Sequence, residues 1–235
     1  MAELRTVTAL GALGALGMGA VLVLAGCRVV GGEEADPALV RALPITAPAA
    51  PRPGATTAPA ARGKGGWPRA LPRLPGASGP VALVVPRAEV NAPVTPIESG
   101  VDGALEPPSL DQADLAGWDR LGPAPGEPGS AVVVGHLDTR TGPAVFAGLS
   151  RVRKGDAVVV TREDGTAVVF RVSAIERVRK SAFPVKKVYR SLPHPTIRLV
   201  TCGGAYDVER HSYDDNLIVY GDLAGWYRLS DFSRA

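Results

Sequence analysis

The chain has 235 residues and a formal net charge of +3, which allows one domain of ordinary size with tails. Its basic residues are scattered and aromatic residues make up only 5%, so the composition does not favour nucleic-acid binding. Two cysteines and three histidines occur without a CxxC motif or clustered spacing. The sequence therefore predicts neither a metal site nor a bound cofactor.

The N-terminal segment, residues 1–27, has the character of a membrane-targeting sequence. An uncharged run rich in Ala, Leu, Gly and Val covers residues 7–26, which suits either a transmembrane helix or the core of a signal peptide. The run ends in Leu24-Ala25-Gly26-Cys27, which resembles a bacterial lipobox, where a lipoprotein is cleaved before the cysteine and lipidated on it. The alternative is an uncleaved anchor in which Cys27 has no role. Both interpretations predict that the rest of the chain lies outside the cytoplasm, tethered to the membrane.

A change of composition follows at residues 28–79, where Pro, Ala, Gly and Thr dominate and hydrophobic periodicity is absent. Prolines remove backbone donors and favour extended chain, so this segment is predicted to be a disordered, semi-stiff spacer. The folded domain is expected to cover residues 80–235.

Short apolar runs of β type recur through that domain. Pro93 and Pro96 interrupt the second run, which is therefore expected to be an edge or irregular strand. Residues 100–130 are predicted to be a long loop with one helical turn near residues 110–116, and a short helix is expected within residues 142–149. At least six short strands with little helix predict an all-β domain, either a closed barrel or a sandwich. The runs cover residues 81–85, 90–97, 131–134, 156–161, 167–175, 197–201 and 217–220.

Two of these runs end on residues that can carry chemistry. The run at 197–201 ends on Cys202, and the run at 131–134 leads into His136. If both strand ends lie at one rim of a barrel, the thiol and the imidazole share a site, and this pair is the basic equipment for nucleophilic acyl transfer. Arg210 is a candidate cation that favours the thiolate or binds an oxyanion. The alternative is that Cys202 is a buried structural cysteine.

Several motifs in the same order resemble the sortases, the cysteine transpeptidases of Gram-positive cell surfaces, and in detail their actinobacterial class F group. The resemblance covers roughly residues 80–222. It rests on Gly135-His136-Leu137-Asp138, Thr141 to Phe146, Leu199-Val200-Thr201-Cys202, Gly203-Gly204, Arg210 and Asp215-Asn216, with Gly126 to Gly129 and Phe183-Pro184 in support.

The resemblance implies a closed eight-stranded β-barrel with short helices and long loops. It also implies that Cys202 is the nucleophile, His136 the catalytic histidine and Arg210 the catalytic arginine. Sortases cleave a sorting signal of the Leu-Pro-x-Thr-Gly type between Thr and Gly and form a thioacyl enzyme. An amine, often from a cell-wall precursor, then resolves it. The implied partners are surface proteins with a C-terminal sorting signal and this amine acceptor.

The arginine is where the sequence departs from the family pattern. There the arginine immediately precedes a Ser-Tyr or similar pair, whereas here His211 stands before Ser212-Tyr213 and Arg210 comes one position earlier. His211 is therefore the rival candidate. The lipobox is a second departure, because the family pattern has a signal anchor.

Two other functions remain open on the residues alone. One is a non-catalytic, membrane-tethered barrel that binds peptides or cell-wall components, which requires a buried Cys202 or a distant His136. The other is a different cysteine acyltransferase of the cell wall, such as an L,D-transpeptidase.

Two neighbours of His136 and Cys202 also have expected roles. Asp138 is expected either to orient His136 or to cap a turn. Thr201 is expected to point away from Cys202, because successive residues of a strand face opposite sides.

Overall fold

The computed structural model describes residues 68–72, 76–99 and 104–232, and most of them lie in strands. The strands are β1 Pro80–Val85, β2 Val90–Ile97, β3 Ala116–Asp119, β4 Gly129–Val134, β5 Asp138–Thr139, β6 Gly142–Pro143, β7 Ala157–Arg162, β8 Thr166–Arg179, β9 Pro195–Asp207 and β10 Ser212–Arg228. Eight of them close into a barrel in the order β1-β2-β3-β4-β9-β10-β8-β7, while β5 and β6 form a separate two-stranded hairpin. The predicted closed eight-stranded barrel is confirmed.

Helical elements in the described residues are short. They are two helices, α1 Val185–Val188 and α2 Leu229–Phe232, and the 3₁₀ turns Pro86–Ala88, Leu110–Gln112, Leu149–Arg151 and Lys180–Ala182. None of the helices within the described part of the chain is long and apolar enough to cross a membrane. The predicted targeting segment, residues 1–27, and the linker up to residue 67 lie outside the described residues.

The barrel wall is buried on both faces where β4, β9 and β10 run side by side. Inside the barrel, Val133, Leu199 and Leu217 belong to the main apolar core. On the opposite face of the same strands, alternate residues pack against Val188 of α1, within a second cluster of Val132, Val134, Val188, Val200, Ile218 and Tyr220. Burial on both faces explains why β4 is apolar at every position from residue 131 to residue 134 instead of alternating.

The prolines of β2 do not make it an edge strand of the sheet, so that expectation was wrong. Strand β2 lies between β1 and β3 in the closed barrel. Its first half, including Pro93, pairs with β1, and its second half, including Pro96, pairs with β3. Each residue thus has a strand partner on one side only. The missing proline N–H can face the unpaired side, where it removes no hydrogen bond between strands.

Two local predictions also differ from the structure. Residues 116–119, expected to be loop, form β3, which pairs in parallel with β2 and antiparallel with β4. Residues 142–149 contain the short strand β6 and turns in place of a helix, and the 3₁₀ turn begins only at Leu149. The helical turn expected near residues 110–116 is a 3₁₀ turn at Leu110–Gln112.

The last part of the predicted linker lies against the barrel. The backbone N–H of Leu71 donates to the carbonyl of Trp226 at 2.7 Å, and the N–H of Glu163 donates to the carbonyl of Gly79 at 3.1 Å. The buried guanidinium of Arg162 donates to the carbonyl of Gly76. Contacts with the barrel therefore begin before residue 80.

Gly148 provides a test of packing in this fold. A Cβ at this position would overlap the backbone carbonyl oxygen of Ala88, which cannot move without displacing the turn after β1. We expect Gly148→Ala to lower the free energy of unfolding by about 1–3 kcal/mol, the usual cost of overpacking. Urea unfolding followed by tryptophan fluorescence measures this loss. The exposed Ser150→Ala serves as the control and should change stability by less than about 0.5 kcal/mol. Equal stability of the two variants would contradict the packing described here.

Candidate active site

The candidate site forms where β4 ends beside its parallel neighbour β9, which itself continues to Asp207. Their register pairs Val134 with Val200. The ladder continues one residue further, because the N–H of Gly135 donates to the carbonyl of Val200 at 3.2 Å. The next residues along are His136, which has left the sheet, and Cys202, which still pairs with Asn216 of β10. The register therefore places the backbones of His136 and Cys202 side by side. The expectation that Cys202 stands at a strand end was wrong, because β9 and β10 continue to pair beyond it.

Thr201 forms a hydrogen bond between β9 and Gly135, the residue that follows β4. It is 3% exposed, and its hydroxyl donates to the carbonyl of Gly135 at 2.8 Å. With its N–H bonded to Val200, Gly135 has both backbone polar groups paired with β9. A Cβ on Gly135 would lie 2.6 Å from Cγ1 of Val145 and 2.9 Å from Cδ2 of Phe146, so only glycine fits. The residue before the histidine and the residue before the cysteine are thus held in fixed positions.

The thiol of Cys202 faces away from the barrel interior. Strand β9 pairs regularly with β10 from Thr196 to Gly203, so its side chains alternate, and Cys202 shares the face of Val200 in the outer apolar cluster. Thr201 points to the other side, as expected. Cys202 is partly exposed and carries a free thiol. It can therefore meet a substrate on the outside of the barrel wall.

The imidazole of His136 is held by the long loop that precedes β3. Its Nε2 lies 2.6 Å from the carbonyl oxygen of Pro108. Since a carbonyl only accepts hydrogen bonds, Nε2 carries the proton in this arrangement. The backbone carbonyl of His136 accepts from the N–H of Phe146 at 2.9 Å. The loop of residues 104–109 thus helps shape the site.

The surroundings of Cys202 oppose its ionisation. Burial raises the pKa of the thiol above its usual 9.0, the charge and hydrogen bond of Lys180 lower the pKa, and the charge of Asp138 raises it. The net direction is upward, so burial and the carboxylate outweigh the lysine. Most of the thiol is therefore protonated at neutral pH in this arrangement.

Lys180 is a site residue that the sequence did not predict. It begins the 3₁₀ turn after β8, and its Nζ donates to the hydroxyl of Ser212 at 2.7 Å. In the sequence it is one of several basic residues between positions 177 and 190. Its place just before Phe183-Pro184, at the end of a strand, is the only local signal, and a signal of this kind does not separate it from its neighbours.

Asp138 pairs with Tyr213. The Tyr213 hydroxyl donates to Oδ2 of the carboxylate. This hydrogen bond, with smaller effects of desolvation and of the charges of Asp138, Cys202 and Tyr206, raises the pKa of Tyr213 to about 12. Of the two roles expected for Asp138, the structure shows neither directly. Its described side-chain partner is a tyrosine from β10, whose first residues therefore contribute to the site.

Arg210 lies at the tip of the hairpin that joins β9 and β10. Its side chain is 79% exposed, and its Nε lies 3.6 Å from a carboxylate oxygen of Asp207. Asp207 comes five residues after Cys202, which is roughly 16 Å along a straight strand. His211, the rival, is exposed and has a left-handed φ of 48°. The register thus places the backbones of Cys202 and His136 side by side, and no contact within the described residues brings Arg210 or His211 to the thiol.

A closed barrel that carries a histidine just after one strand and a cysteine in the parallel strand beside it has the residue pair used by cysteine-dependent acyl-transfer enzymes. The family model described as "Sortase domain" matches residues 83–224, more than half of the chain. The chain belongs to the sortase family, whose members are cysteine transpeptidases.

The chain is similar to solved structures of sortases. The SrtA sortase from Actinomyces oris is 25% identical with a TM-score of 0.50, and the match covers 69% of this chain and 89% of that one. Sortase A of Listeria monocytogenes is 18% identical with a TM-score of 0.48, with 64% and 90% covered. Sortase C of Streptococcus pneumoniae is 21% identical with a TM-score of 0.48, with 63% and 66% covered. None of the curated proteins compared with the chain matches it significantly.

The hydroxyl of Thr201 can be tested against a matched residue at the other end of the same strand pair. Thr196 donates to the carbonyl of Gly129 at 2.9 Å, as Thr201 does to that of Gly135. Either threonine-to-valine change leaves a buried carbonyl without its partner, so each should cost about 1–3 kcal/mol of stability. We expect only Thr201→Val to slow alkylation of Cys202 by iodoacetamide as well. Equal alkylation rates in the two variants would show that the Thr201 bond does not position the site.

Proposed function

We propose that this protein is an extracytoplasmic, membrane-tethered transpeptidase of the actinobacterial class F type. It cleaves a Leu-Pro-x-Thr-Gly-like sorting signal and transfers the product to an amine of the cell wall. The observation that carries the proposal is the contact between β9 and the end of β4. There the hydrogen bond from Thr201 to Gly135 joins the residues that precede Cys202 and His136. Membership of the sortase family supports the reaction class.

In the proposed reaction Cys202 is the nucleophile. Its thiolate attacks the carbonyl carbon of the threonine in the signal, and a tetrahedral oxyanion forms. The carbon–nitrogen bond to glycine then breaks, the leaving amine takes a proton from the His136 imidazolium, and a thioester remains on the enzyme. An incoming amine gives a proton to the imidazole as it attacks the thioester, and the thiolate leaves. Water in place of the amine gives hydrolysis, the side reaction.

The outer face of the barrel wall offers an apolar surface for the leucine and proline of such a signal. Val178 of β8 and Cys202 of β9 both pair with Asn216 of the strand between them, so the three lie in one row across the sheet. Ile97, Leu105 and Phe183 are partly buried side chains packed against the same outer cluster. A peptide that lies along this face would reach the thiol.

The decisive experiment measures the intact mass of the protein after incubation with a Leu-Pro-x-Thr-Gly peptide. We expect a thioacyl adduct on Cys202, which hydroxylamine converts to a peptide hydroxamate. Cys202→Ala should abolish the adduct and all turnover. His136→Ala should lower turnover by about 10²–10⁴-fold, the usual contribution of a general acid–base. Thr196→Val, which lies at the far end of β9, is the folded control and should keep its activity.

Normal turnover by Cys202→Ala would exclude the nucleophile proposed here. A folded protein with a free thiol that forms no adduct and cleaves no peptide would favour the non-catalytic binding barrel instead.

The proposed tether is tested on the N-terminal segment. Lipidation predicts that the protein extracted from membranes begins at Cys27 and carries added acyl mass, and that Cys27→Ser keeps the unprocessed leader. An uncleaved anchor predicts the full chain from Met1 in the membrane fraction, unchanged by Cys27→Ser. Intact mass spectrometry of the fractionated protein separates the two results. A full chain recovered in the cytosolic fraction would exclude both.

A further inference from the structure

The register of three adjacent strands places Lys180 close to Cys202. Strand β10 lies between β8 and β9, and its Asp215 pairs with Arg179 on one side and with Gly203 on the other. Lys180 follows Arg179, so it starts about two strand spacings, roughly 10 Å, from the cysteine strand. Its side chain extends to the first residue of β10, where Nζ is 2.7 Å from the hydroxyl of Ser212.

The connection that begins at Lys180 also lies on the same face as the thiol. It continues through Phe183 to α1, and Phe183 and Val188 pack on the outer apolar cluster beside Val200. Cys202 shares the face of Val200. The connection that begins at Lys180 and the thiol therefore lie on one side of the barrel wall.

Four other groups with charge or titratable protons lie on the elements around this thiol. Asp138 of β5 adds negative charge, and its carboxylate accepts from Tyr213 of β10. His136 stands at the end of β4 and contacts Pro108. Arg210 is at the hairpin tip beside Asp207. Among the charged groups that act on Cys202 in the described part of the chain, Lys180 is the cation.

We infer that Lys180, held by the hydroxyl of Ser212, is the catalytic cation that stabilises the Cys202 thiolate. The inference deepens the proposed function and rests on the role of Cys202 as nucleophile. It gives this site a lysine where the family resemblance pointed to Arg210. Ser212 is then a positioning residue, because it touches the lysine and not the sulfur.

The chemistry of lysine suits this position. An ammonium is a compact charge with three donors, so one N–H can remain on Ser212 while another points to the sulfur. An opposite charge within about 4–6 Å favours the charged form of a titratable group by about 1–3 pKa units. Lys180 thus counteracts part of the effect of burial, which would otherwise leave very little thiolate.

The test follows the alkylation of Cys202 from pH 6 to pH 10.5 in the full-length protein, with iodoacetamide as the probe and peptide mass mapping to separate Cys202 from Cys27. Lys180→Met should move the midpoint of the rate profile upward by about one pH unit or more. At pH 7 the rate should fall about three- to fourfold for each unit. The fall is less than tenfold because a more basic thiolate is also a better nucleophile.

Three matched variants make the result specific. Lys180→Arg keeps the charge and should restore most of the profile. Lys186→Met removes an exposed lysine of α1 and should leave the profile unchanged. Arg210→Ala should also leave the midpoint unchanged. Far-ultraviolet circular dichroism confirms that each variant is folded, and Lys180→Gln replaces Lys180→Met if the latter is not.

An unchanged midpoint in a folded Lys180→Met, or a shift in Arg210→Ala alone, would overturn the assignment. Because alkylation needs no peptide, this failure is distinguishable from failure of the transpeptidase proposal. A protein that shows the lysine-dependent profile but forms no thioacyl adduct would keep the Lys180–thiol pair and lose the proposed reaction.

Discussion

The parallel pairing of β4 with β9 is the constraint on which the site depends. The parallel register aligns Gly135-His136, which follow the end of β4, with Thr201-Cys202 within β9. Two hydrogen bonds to Gly135 fix the offset between them. A slip of one residue would turn Cys202 into the barrel interior and Thr201 outward. The apolar clusters on both faces of the wall prevent that slip.

Burial on both faces also determines the electrostatics of the thiol. The outer cluster that covers Val200 and Ile218 withdraws the neighbouring Cys202 from water, which raises its pKa. The carboxylate of Asp138 acts in the same direction, and among the residues that the structure describes Lys180 is the charge that opposes them. The fold that aligns the cysteine with the histidine thus makes the thiolate costly, and a nearby cation becomes necessary for nucleophilic chemistry.

How much could be read from the sequence depended on whether the signal was local. The sequence predicted the apolar runs that form β4 and the centre of β9, and the position of His136 just after β4, because neighbouring residues carry these signals. It did not predict that β9 continues past Cys202, because Gly203-Gly204 interrupts the apolar run and pairing with β10 extends the strand. Strand β3 was not predicted either, since Ala-Gly-Trp-Asp has little strand propensity and is ordered by its partners β2 and β4. Lys180 was missed for a related reason: only pairing across β10 separates it from other basic residues.

A thiol kept mostly protonated has a consequence in the location that we propose. Outside the cytoplasm thiols tend to be oxidised, and oxidation proceeds through the thiolate. Because burial raises the pKa of Cys202 above its usual value, little thiolate is present at neutral pH, and we expect the free thiol to oxidise more slowly. The same burial limits the nucleophile available for catalysis. The charge of Lys180 lowers the pKa of Cys202 and so favours the thiolate needed for catalysis. It does so without removing the apolar side chains that bury the sulfur.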